Sequence, residues 1–200
     1  MQTSKYKVIG LTGGIGSGKT FVSNIFKRLG IPVFNADYEA KKIMHQSLDL
    51  KNKIIEAFGD EIYKDNQLQK KLLSKLIFNN EKKLTLLNSL VHPYVFKRFN
   101  QWCLNSQSPI LLKESAILFE SHSNRKCDKV ICVVASKSIR IARVMKRDNV
   151  DKNHVQSIIS SQISQKDKVK KSDYSINNNE SELILPQIIE IINNIKSTIS

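Results

Sequence analysis

The chain has 200 residues, 40% hydrophobic and 25% charged, and carries a formal net charge of +14. This balance excludes a disordered polyelectrolyte and gives one domain with excursions enough material for a real core. No apolar run reaches the ~18 residues of a membrane span, so no membrane partner is expected. The segment from Met1 to Lys5 runs straight towards the first apolar stretch, so no leader is expected either. Cys103, Cys127 and Cys132 form no CxxC pair and read as reduced thiols of a cytoplasmic protein.

In chain order, Val8 to Leu11 is predicted as a strand. Directly after it, Gly13-Gly14-Ile15-Gly16-Ser17-Gly18-Lys19-Thr20 fits the phosphate-binding pattern of Gly, four residues, then Gly-Lys-Ser/Thr. A helix is predicted over 19–29, which supplies the strand–loop–helix context the motif requires. Glycines let several backbone N–H groups converge on one anion, and the helix N-terminus adds its positive end. Lys19 is placed to reach the β and γ phosphates of ATP, and the Thr20 hydroxyl to hold Mg²⁺.

Residues 31–34 form a second short strand, and 36–105 read as almost wholly helical, with Pro93 expected to kink or break a helix. Strands resume at 109–112 and 130–134, followed by basic helices near 137–148 and 152–165, a short strand at 174–176 and an amphipathic helix over 181–196. Strands separated by helices imply an α/β fold: a parallel sheet flanked by helices. The helical block 37–106 interrupts that alternation and reads as a substrate-binding insertion. The core then comprises 1–36, 107–136 and 170–200.

Charge is concentrated late in the chain. Residues 137–171 carry ten Lys/Arg against three Asp/Glu, whereas the last 28 residues carry one Lys against four acids. A basic segment beside a phosphate loop suits a polyanionic small substrate or nucleic acid. Sparse aromatics, 7% of residues, and the lack of a base-reading motif argue against nucleic acid. No DxxG switch, NKxD motif or LSGGQ-like signature follows the loop, so the parts of a GTPase or ABC-type ATPase are missing. A small-molecule kinase needs none of them. A kinase of the nucleoside, shikimate or gluconate type fits the same loop, and a nucleic-acid-binding ATPase is the reading from a different class.

Several side chains are candidates for the chemistry, each with a plainer alternative. Asp37 follows the second strand, where an acid can position or deprotonate an attacking hydroxyl, or simply cap the next helix. Arg140, Arg143 and Arg147 share one helix face and suit a charged lid or a solvated surface, Arg147 pairing with acids such as Asp151. Glu114 ends a strand where a metal-organising acid can sit. Lys70, His92 and Glu120 fit either a substrate site or ordinary structural and surface roles.

Taken together, the residues resemble the dephospho-CoA kinase family over nearly the whole chain. The resemblance is carried by Leu11 to Lys19, Asn35-Ala36-Asp37, Val91-His92-Pro93, Ile117-Leu118-Phe119-Glu120, Arg143, Arg147-Asp148, Gln162 and Ser172 to Asn178. It implies a P-loop NTPase core, a helical insertion that binds the CoA substrate, and a helical lid over 137–169. It also implies MgATP-dependent phosphorylation of the ribose 3′-hydroxyl of dephospho-CoA, the last step of coenzyme A synthesis. On this resemblance Asp37, Lys19 and Arg143 are catalytic, and the loop residues, Arg143 and Asn178 bind ATP. Asp37, Lys70, His92 and Glu120 bind the acceptor, and a monomer is expected. The sequence departs from the pattern at Asn35, Lys70, Ala116, Gln165 and Glu180, which stand where the family has Asp, Arg, Pro, Arg and Gly.

Overall fold

The structure, a computed structural model, describes residues 6–77 and 80–198. Its elements begin β1 (Lys7–Thr12), α1 (Lys19–Arg28), β2 (Val33–Asn35), α2 (Ala36–Gln46), α3 (Leu48–Phe58), β3 (Tyr63–Lys64), β4 (Gln67–Leu68), α4 (Lys70–Ile77) and α5 (Glu81–Leu104). They continue β5 (Ile110–Glu114), β6 (Lys129–Val134), α6 (Lys137–Asp148), α7 (Lys152–Ser161), α8 (Gln165–Lys170), β7 (Tyr174–Asn177) and α9 (Ile184–Lys196). The chain divides into two compact units, residues 36–105 and the remainder, and the basic segment 137–169 lies within the latter.

The larger unit is built on a parallel sheet of order β2-β5-β1-β6-β7. Side chains alternate faces along each strand. Ile9, Leu11, Ile110, Leu112, Ile131 and Val133 therefore share one face, where they meet Val22 and Phe26 of α1 and Ile188, Ile191, Ile192 and Ile195 of α9. A smaller cluster of Leu118, Phe119 and Val130 packs with Cys127 and Ile163. Helices α6 and α7 hold their own core of Ile141, Val144 and Val155, against which Ile15 of the glycine loop packs. The parallel α/β class read from the sequence is the class observed.

The smaller unit is mainly helical. Its core includes Leu50, Ile54 and Ile62, each 0% exposed. Helix α5 buries Leu87, Val91, Val95, Phe99 and Cys103, a stripe spaced by four residues on one face. Pro93 does not end this helix, which runs unbroken from Glu81 to Leu104. The carbonyl deprived of a partner by Pro93 is that of Ser89, and both residues are solvent-exposed, so water can serve it.

Other boundaries also differ from expectation. The second strand starts at Val33, not Ile31: the Ile31 N–H is taken by Phe26 O at 3.1 Å as α1 ends, and Pro32 has no N–H to give. The block 36–105 is not wholly helical, because β3 and β4 form a hairpin whose turn residues, Asp65 and Asn66, both have positive φ. The helix expected over 152–165 ends at Ser161: Gln162 turns extended and the Ser164 side chain caps α8 by accepting from Asp167 N. The last helix begins at Ile184 with Pro186 in its first turn, where a missing N–H costs nothing.

Candidate active site

The glycine loop lies between β1 and α1 and tightens through a bond from Ser17 N–H to Gly14 O at 3.1 Å. Gly16 and Gly18 have φ of 77° and 92°, a region costly for residues with a Cβ. Gly18 is the N-cap of α1 and supplies no side-chain cap, so the first-turn N–H groups of the helix are left for an anion. The Lys19 ammonium donates to Gly13 O at 2.9 Å and Gly14 O at 3.3 Å, bridging the loop.

Thr20 connects the loop to an acid that the sequence had only suggested. Glu114, 3% exposed at the end of β5, lies in register with Leu11 of β1 and Asn35 of β2. Its carboxylate accepts from Thr20 Oγ1 at 3.1 Å, Ser23 Oγ at 2.9 Å and Asn35 Nδ2 at 3.0 Å. All three donors are neutral, and among the described residues no cation pairs with it. A buried carboxylate without a counter-charge beside a loop hydroxyl is the donor chemistry a hydrated Mg²⁺ requires. The sequence signal was an acid closing the otherwise buried run Ile110-Leu111-Leu112-Lys113. Asn35, where the family pattern has an acid, here serves Glu114 as a donor.

Asp37 lies in the first turn of α2, two residues beyond Asn35, and is half-buried. Lys70 is exposed at the start of α4, and His92 is half-buried on α5. The structure thus carries these three on the smaller unit, and the loop, Arg143, Asn178 and Glu120 on the larger one. In the smaller unit a hollow of about 230 Å³ is lined by Ser47, Tyr94, Lys97 and Arg98, residues the sequence did not mark.

On α6, Arg143 Nη2 donates to Asn178 O at 3.1 Å and to Glu180 Oε1 at 2.9 Å. Its Nη1 is buried with no hydrogen-bond partner among the described residues, an unspent donor beside the loop. Arg143 borders two hollows. One, about 210 Å³, includes Gly16, Gly18, Lys19 and Thr20; the other, about 580 Å³, includes Phe21, Asn178 and Leu183 to Leu185. Asn178 Nδ2 donates to Ser17 O at 2.8 Å, so this side chain also braces the loop.

Two further side chains from the basic segment hold the loop at Ile15. Gln162 Oε1 accepts the Ile15 N–H at 2.9 Å, and Arg140 Nε donates to Ile15 O at 2.8 Å. Arg147 pairs bidentately with its neighbour Asp148, both distances being 2.7 Å; Asp151 instead caps α7. Glu120 Oε1 is held by the buried Lys168 ammonium at 2.8 Å and by Ile163 N–H at 3.2 Å, while its Oε2 is buried with no hydrogen-bond partner among the described residues. Burial pushes the Cys132 thiol up to about 11, which makes it inert at neutral pH. Among the described residues all three cysteines are free thiols.

The dephospho-CoA kinase family model matches residues 7–183. A dephospho-CoA kinase from Bacteroides fragilis is 33% identical over 185 residues, covering 92% of this chain and 90% of the relative. One from Bacillus cereus is 38% identical over 180 residues, covering 86% and 88%. A crystal structure from Thermus thermophilus superposes with a TM-score of 0.85 at 24% identity, covering 94% of this chain and 97% of that one, a likeness of fold. With a family match spanning the phosphate loop, the Glu114 strand, the basic helices and the Asn178 segment, the chain belongs to the dephospho-CoA kinase family.

Proposed function

We propose that this protein transfers the γ-phosphoryl group of ATP to the ribose 3′-hydroxyl of dephospho-CoA, giving coenzyme A and ADP, with its own residues in the following roles. The loop N–H groups from Gly13 to Thr20 cradle the phosphates. Asp37 orients the hydroxyl and takes its proton as the oxygen attacks phosphorus and the bond to the bridging oxygen of ADP breaks. Lys19 and Arg143, through the free Nη1, stabilise the charge on the transferring group. Thr20 and Glu114 would hold Mg²⁺, which supplies charge neutralisation at the β and γ oxygens when bound. Lys70, His92 and Glu120 grip the acceptor, and the adenine takes the hollow of about 580 Å³ that Asn178 borders. Residues 137–169 act as a lid that excludes water from the transfer.

The observation that carries this reading is the phosphate loop joined to a buried, uncompensated carboxylate through Thr20, in a member of this family. Its test is ADP release from MgATP with and without dephospho-CoA, with the product weighed by mass spectrometry. A gain of one phosphate on dephospho-CoA is expected. Protein that binds ATP yet leaves dephospho-CoA unchanged would refute the acceptor.

A further inference from the structure

Arg140 is 5% exposed and sits where the loop has no side chains. A Cβ on Gly14 would run into its guanidinium, and one on Gly16 into its backbone. Among the described residues, its one hydrogen bond to another segment is from Nε to Ile15 O. Among the described residues it has no carboxylate within 4 Å, whereas Arg143, Arg147, Lys129 and Lys168 each pair with an acid. Burial works against the charged form of this guanidinium, but an arginine stays protonated at any physiological pH.

A buried cation without a counter-ion is a cost to the free protein. The brace on Ile15 O does not require a full charge, because a neutral amide also donates to a carbonyl, though more weakly. That brace leaves the net charge without an anionic partner among the described residues. The loop that this guanidinium lies against is shaped to bind an anion, which would compensate it.

We infer that Arg140 is a charge held behind the phosphate loop, balanced by the nucleotide polyphosphate without touching it, so that it raises nucleotide affinity at the expense of the nucleotide-free state. The inference rests on the reading that this loop binds ATP. At an effective dielectric near 20, a charge within about 8 Å is large enough to change affinity roughly tenfold or more.

The experiment compares wild type with Arg140→Gln and Arg140→Lys, by calorimetric titration with ADP and ATP and by melting of the nucleotide-free protein. Arg140→Gln is expected to melt no lower than wild type, yet to bind ADP about tenfold more weakly and to lose more for ATP, which carries the greater charge. Arg140→Lys, which keeps the charge, is expected to stay within about threefold of wild type. Unchanged ADP binding by the Gln variant overturns the inference. So does an equal loss in both variants with a lowered melting temperature, which marks a brace and nothing more. Failure of Arg140→Gln to fold also overturns it, since neutralising this site should favour the free protein. Wild type that binds no nucleotide is a different failure, that of the nucleotide reading itself.

Discussion

The two units of this molecule differ in how deeply their candidate site residues are buried. In the larger unit Glu114 is buried among three neutral side-chain donors, Asn178 is buried on Ser17 O, and Gln162 and the buried Arg140 hold the N–H and the C=O of Ile15. In the smaller unit Lys70 is exposed, and Asp37 and His92 are half-buried on helices. A group fixed before its ligand arrives costs no reorganisation during reaction, whereas an exposed side chain gives up rotamer freedom on binding. On the proposed reading, the nucleotide side is set for rigid placement of charge and the acceptor side, through the exposed Lys70, for adaptable capture.

Asp37→Asn is the sharpest way to break that contrast, because Asp37 stands on the smaller unit yet is assigned to the chemistry. Turnover should fall at least ~10²-fold, the usual scale of a general base, with ATP binding by calorimetry nearly unchanged. Turnover close to wild type would remove it from the reaction. Glu114→Gln keeps the shape of the buried site and removes its charge. It should weaken Mg²⁺-dependent ADP binding roughly tenfold or more while leaving Mg²⁺-free ADP binding near wild type; equal losses in both would make Glu114 a structural acceptor. Lys70→Ala should raise the KM for dephospho-CoA only a few-fold with kcat unchanged, as befits an exposed cation. A kcat loss instead would show that the acceptor side is as rigid as the donor side.

The smallest effect concerns Asp173, which ties β6 to β7 through Lys129 Nζ and Val130 N–H, both at 2.8 Å. Burial acts to raise its pKa, but the bonds from Lys129 and Val130 outweigh it and hold the carboxyl below its ordinary value of 3.8. A depressed carboxyl contributes stability above its unfolded pKa and loses it as pH falls through the folded one. Asp173→Asn should therefore melt slightly lower than wild type at neutral pH, and the gap should close on acidification below about pH 4. A gap that persists at low pH would assign the effect to packing.

Local chemistry explains what the sequence made legible. The loop motif, the alternation of strands and helices, and the apolar face of α9 are all set by residues close together in the chain. The hairpin of Tyr63 to Leu68 escaped because strands of two residues show no period, although Asp65-Asn66 is a pair that tolerates positive φ. The division of 152–170 at Gln162 was hidden for another reason: that side chain is recruited by Ile15, 147 residues away. Glu114 was legible as an acid at a strand end, but its lack of a counter-charge was not. The same holds for Arg140, which reads as one of three lid arginines until its neighbours are known.

The order of strands also bears on how the molecule is made. Among the described strands β1 comes first in chain order and is central in the sheet, and its partners come far downstream: Lys7 faces Ile110 and Ile9 faces Lys129. The segment 36–105, by contrast, finds its core partners within itself. Compact units fold as they emerge, and pairing between distant segments is slow. The segment 36–105 is thus free to form on a nascent chain whose phosphate loop is not yet braced. The brace is complete only after Asn178 has emerged to meet Ser17, 161 residues behind it, so a stalled or truncated product would present a folded 36–105 unit and an unbraced loop.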